Sequence, residues 1–73
     1  MVSYNRLWHK LVDLKMNKSE LRTASGISTS TLAKLGKNEI VSLEVLEKIC
    51  DTLNCDLGDI ASFNDEDGKE NEQ

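Results

Sequence analysis

The sequence predicts an all-α fold, a compact bundle of five short helices. Three observations predict it. Apolar residues recur at helical spacing, and no segment keeps a sustained period of two. The chain has no proline and four glycines, which disfavours a turn-rich β fold. Ser3, Asn17, Ser28, Ser42 and Asp56 each follow an apolar residue and precede a helix-compatible run. All are residue types whose side-chain oxygen can accept an orphan amide of a first helical turn.

The first helix is expected over residues 4–14. Tyr4, Leu7, Trp8, Leu11 and Val12 form its apolar stripe, with Arg6, His9, Lys10 and Asp13 on the other side. The second is expected over 18–25, where Asn17 and Glu20 have the spacing of a capping box. The third runs over 29–35 and the fourth over 43–53, where Leu43, Leu46, Ile49, Cys50 and Leu53 repeat the stripe. The fifth is expected over 57–62. The residue before each cap can staple onto the fourth helical residue, and both members are apolar in every case: Val2–Leu7, Met16–Leu21, Ile27–Leu32, Val41–Leu46 and Cys55–Ile60. Gly26, Gly36 and Asn54 can take the left-handed conformation that closes a helix. Helices this short are marginal alone and must share a core. The expected core is Leu7, Trp8, Leu11, Leu21, Ala24, Ile27, Leu32, Leu35, Leu46, Ile49, Cys50, Leu53, Leu57 and Ile60.

A length of 73 residues allows one domain. It is expected over 1–63, followed by an acidic, disordered tail over 64–73 that contains no apolar residue. Size argues against an enzyme core. No apolar run is long enough to span a membrane, and no secretory pattern opens the chain. Two cysteines are too few for a disulfide-stapled scaffold, so a reducing, cytoplasmic setting is expected. Cys50 falls on an apolar stripe, Cys55 in a staple and His9 on an exposed face. These three lack the spacing and number of a zinc site, and one histidine supports no nucleophilic triad. Neither a metal nor a cofactor is expected.

The net charge of −4 conceals an asymmetry. Residues 1–38 hold seven basic and two acidic residues, and no carboxylate lies between Leu21 and Asn38. Residues 39–63 hold one basic and six acidic residues. A basic half beside an acidic half suggests a surface facing a polyanion with a solvated back.

The second and third helices are joined by Ser25-Gly26-Ile27-Ser28, a short glycine-containing turn laid out as in a helix-turn-helix. Residues 18–37 resemble the helix-turn-helix of the phage-repressor, or Xre, type. The family pattern places apolar residues where Leu21, Ile27, Leu32 and Leu35 stand, and glycine where Gly26 stands. Residues 42–60 are similar to the family's fourth and fifth helices, and the resemblance covers about 3–63. Two positions depart from it. Arg22 stands where alanine is usual and Ser25 where an apolar residue is usual, which leaves open a rotation or shift of the second helix.

The resemblance implies a sequence-specific regulator of transcription, a repressor, that binds double-stranded DNA as a dimer. The helix over 29–35 would enter the major groove with Thr29, Ser30 and Lys34 reading bases. Lys18, Ser28 and Lys37 would contact the DNA backbone. The resemblance also implies a dimer surface on the last helix, with Leu57, Ile60 and Phe63, where Phe63 is either a lid on the core or a dimer contact. The alternative is a protein-interaction module, an antitoxin or adaptor, that docks a partner on the acidic face of residues 43–53.

Overall fold

The structure, a computed structural model, describes residues 1–63. It contains α1 (Asn5–Leu14), α2 (Lys18–Ser25), α3 (Thr29–Gly36) and α4 (Leu43–Leu53), followed by a 3-10 turn at Leu57–Asp59. The fold is all-α as expected, with four helices among the described residues instead of five. The tail expected over 64–73 lies outside them.

The missing fifth helix has two causes, one local and one distant in sequence. Gly58 weakens helix propensity inside a stretch of barely six residues. Ser62 is drawn into an antiparallel bridge with Ser3, with amide–carbonyl distances of 2.7 and 3.0 Å. That pairing needs extended backbone where a helix would continue. The turn still has a complete cap: Asp56 accepts from Leu57, and Asp59 accepts from the Asp56 amide, each at 2.9 Å.

Ser3 does not take the N-cap position, although its Oγ still accepts the amide of Asn5, the first residue of α1, at 3.3 Å. The N-cap of α1 is Tyr4, without a side-chain cap, and Ser3 is buried in the bridge. The other expected caps form. Asn17 and Glu20 make the reciprocal capping box, and Ser28 and Ser42 accept from Thr31 and Val45.

Each helix is closed by one left-handed residue: Lys15, Gly26, Asn38 and Asn54. Gly26 and Asn54 were expected. Gly36 stays inside α3, and Asn38 closes that helix in its place. Asn38 is fixed there by a second role, since its Oδ1 accepts the Tyr4 amide at 3.0 Å. Lys15 carries no sequence signal for this conformation.

The core is Tyr4, Leu7, Leu11, Leu21, Ile27, Leu35, Leu46, Ile49, Leu53 and Ile60. Tyr4 is an addition to the expected set. It is 1% exposed, and its phenol donates to the Glu39 carbonyl at 2.8 Å. Trp8, Leu32 and Cys50 are only half-buried and pack around that core. Ala24 and Leu57 are exposed, Leu57 because the 3-10 turn does not direct it inward as a helix would. Phe63 is 76% exposed, so it is not a lid. α2 packs chiefly on α4, α3 on α2, and the terminal turn on α1 and α4. The Arg6 guanidinium also ties α1 to the turn through the Gly58 carbonyl at 2.8 Å. No helix among the described residues is long and apolar enough to cross a membrane.

Candidate nucleic-acid interface

α2 ends at Gly26, whose φ of 78° lets its amide return to the Arg22 carbonyl at 2.9 Å. A non-glycine residue would be strained at that angle. Two residues later Ser28 opens α3. The chain thus reverses through Gly26-Ile27-Ser28, with Ile27 buried as the pin of the turn. Ser25 takes an inward position with its hydroxyl satisfied by the Leu21 carbonyl at 2.7 Å. Leu21 remains fully buried and Ala24 exposed, so a serine fills the usual apolar slot without displacing the helix's buried face. Arg22 is half-buried.

Leu32 and Leu35 turn α3 inward, leaving Thr29, Ser30, Ala33, Lys34 and Lys37 exposed. All of the expected DNA-facing residues, Lys18, Ser28, Thr29, Ser30, Lys34 and Lys37, are therefore on the surface. Lys34 stands in the last turn of α3, where the helix dipole favours a cation. The one acidic residue of α2, Glu20, is engaged by the Asn17 amide at 2.9 Å.

The hydroxyls at the start of α3 form a network whose proton directions can be deduced. Ser28 Oγ accepts the Thr31 amide at 3.1 Å and donates to Thr31 Oγ1 at 2.9 Å. It also lies 3.1 Å from Ser30 Oγ. A serine has one hydroxyl proton. With Ser28 giving that proton to Thr31, the arrangement that keeps both contacts has Ser30 donating to Ser28. The Ser28 hydroxyl is then fully committed within the protein, while Ser30 presents only lone pairs outward.

Lys18 is held by an element that sequence reasoning assigned elsewhere. Its ammonium lies 4.4 Å from the centroid of the Trp8 ring. Lys18 is the first residue of α2, the positive end of that helix. The negative face of the ring compensates a cation placed there. The signal was present in the sequence as Trp8, but its helical spacing read as core. Its half-burial leaves one face for the lysine.

A glycine-turned pair of short helices, with an exposed and carboxylate-free second member held on a shared apolar core, defines a helix-turn-helix DNA-binding domain. The chain belongs to the Cro/C1-type HTH DNA-binding domain family, whose model matches residues 6–66. It is similar to the crystal structure of the transcriptional regulator VanUg, with a TM-score of 0.82 and 64% identity, over 84% of this chain and 81% of that one. No curated protein matches it. The expected resemblance to Xre-type regulators therefore holds.

Proposed function

We propose that the chain is a sequence-specific, homodimeric transcriptional repressor whose α3 enters the major groove of double-stranded DNA. The observation that carries this reading is the surface of α3, where Thr29, Ser30 and Lys34 are exposed in a stretch with no carboxylate from Leu21 to Asn38. Thr29 offers a methyl to thymine, Ser30 an acceptor to an amino group, and Lys34 a donor to guanine O6 and N7. Lys18 and Lys37 supply phosphate contacts that position the helix. Ser28 contributes by capping α3, since its hydroxyl is committed to Thr31 and Ser30.

One eight-residue helix reads few base pairs, so a second copy is needed for useful specificity. Ile40, Leu43 and Phe63, 81%, 72% and 76% exposed, border an apolar groove of about 430 Å³ with Val2 and Leu57. That face suits self-association. Ile60 does not belong to it, being fully buried. A bound dimer represses by occluding the DNA that it covers.

Selection from a random duplex pool at physiological salt tests this. The expected product is a motif with two-fold symmetry and half-sites about one helical turn apart. Absence of enrichment overturns the reading. It would favour instead a protein partner on α4, where Glu44, Glu47 and Asp51 line an acidic groove.

A further inference from the structure

The end of α4 is closed by a six-residue motif. Asn54 turns left-handed at φ 56°, and the Cys55 amide bonds back to the Cys50 carbonyl at 3.0 Å. This closure sets the side chains of its first and last residues against each other, ordinarily as an apolar contact. The end of α1 shows the ordinary form. There Lys15 is left-handed and the Met16 amide reaches the Leu11 carbonyl at 2.9 Å. In α4 the corresponding pair is Cys50 and Cys55. The closure sets their side chains against each other, no disulfide joins them, and both are half-buried. They stand in the wall of an open groove of about 520 Å³ between α4 and the terminal turn.

We propose that Cys50 and Cys55 form a dithiol site for a monosubstituted trivalent arsenical. Geometry selects this class. Arsenic(III) is pyramidal and holds two sulfurs at nearly a right angle, as close as two side chains facing each other across one helix closure can come. A linear ion such as Cu(I) spreads its two sulfurs to opposite sides. The number of donors agrees. A monosubstituted arsenical has two valences to fill, and the chain has two cysteines. Zinc needs four ligands, and no group of three or more His, Cys, Asp or Glu able to hold a metal occurs among the described residues.

Charge selects in the same direction. Burial first, then Cys55, Asp56 and Asp51, push the Cys50 thiol up from 9.0 to about 11. Such a site resists added negative charge, and a Cu(I) bis-thiolate would bring one. The arsenical adduct is neutral. With an arsenoxide, two S–H bonds and the As=O bond break, and two As–S bonds form. Both thiol protons leave in one water, and arsenic stays trivalent, so no oxidant is required.

The test is a titration of the reduced full chain with phenylarsine oxide at neutral pH, read by intact mass, by free-thiol count and by melting. One adduct per chain is expected, with both thiols lost together and restored by excess dithiol. Cys50→Ser and Cys55→Ala should each bind at least about tenfold more weakly in competition with a monothiol, a difference of about 1.4 kcal/mol. Loading should raise the melting temperature, because a ligand that prefers the folded state stabilises it. An adduct that consumes one thiol, survives in either variant, or lowers the melting temperature overturns the proposal. The last result would mean capture of the unfolded chain.

Discussion

The contact between Lys18 and Trp8 yields a prediction in which stability and binding separate. A cation in the first turn of a helix costs about 0.3–1 kcal/mol against the helix dipole. An exposed cation–π contact contributes about 0.5–1 kcal/mol. With the ammonium 4.4 Å from the ring centroid, the two terms nearly cancel in the free protein. Lys18→Ala should therefore shift the melting temperature by no more than about 4 °C, the scale of a residual below 1 kcal/mol in a domain of this size. In the proposed DNA complex the cancellation would end, because a phosphate at the start of α2 would meet both the lysine and the helix amides. Loss of that contact should lower the slope of log affinity against log salt by about 0.9 per protomer. Trp8→Leu leaves the charge in place but releases it. Its slope should persist, the free protein should lose about 0.5–1 kcal/mol of stability from the contact, and affinity should change by no more than about two- to fivefold. Trp8 is the only tryptophan of the chain, so its emission reports the contact directly. The assay is a fluorescence titration with duplex at several salt concentrations. A Lys18→Ala variant with an unchanged slope, and a Trp8 emission indifferent to DNA, would refute the reasoning and reduce the pair to a surface ornament.

Three further outcomes are expected. Tyr4→Phe keeps the buried ring but removes its hydrogen bond to the Glu39 carbonyl; it should cost about 1 kcal/mol, measured by urea denaturation. Lys15 sits at φ 57° without the local hydrogen bonding that eases asparagine there. Lys15→Gly should raise the urea midpoint by about 0.5–1 kcal/mol equivalent, the left-handed penalty less the extra entropy of glycine; a lowered midpoint would contradict it. Stability should also fall in alkali. Burial raises the Tyr4 phenol above 10.0 against a smaller opposing effect of the Val41 backbone, and the Cys50 thiol rises from 9.0 to about 11. The unfolded chain then releases protons first, so this stability is fully present below about pH 9 and is lost as pH climbs through 11. Urea midpoints measured across that window check the sign, and Tyr4→Phe should flatten part of the decline.

Much of this fold could be read locally because its signals are local. A cap such as Ser28 acts three residues away, and the stripe Leu46, Ile49, Leu53 acts within one helix. What escaped was set by contacts distant in sequence. Tyr4 joins the core because Asn38 and Glu39 hold its amide and its phenol across more than thirty positions. The N-cap position passes from Ser3 to Tyr4, and the fifth helix shortens to a turn, as Ser3 and Ser62 find one another from nearly opposite ends of the domain. Neither pairing has a periodicity to betray it. The same distinction governs the interface. Exposure of Thr29, Ser30 and Lys34 follows from which side Leu32 and Leu35 must bury. Proton direction does not follow from spacing. Only the simultaneous approach of Thr31 and Ser30 to one hydroxyl commits Ser28 inward and leaves Ser30 an acceptor. An acceptor and a lysine donor four residues apart are adjacent on one helical face. In the proposed complex such a pair would discriminate by complementarity, with an amino group at one base edge and guanine's acceptors at the next. Under the proposed function, helix spacing selects the residues that would meet DNA, and the hydroxyl network at the cap assigns the sense in which one of them would read it.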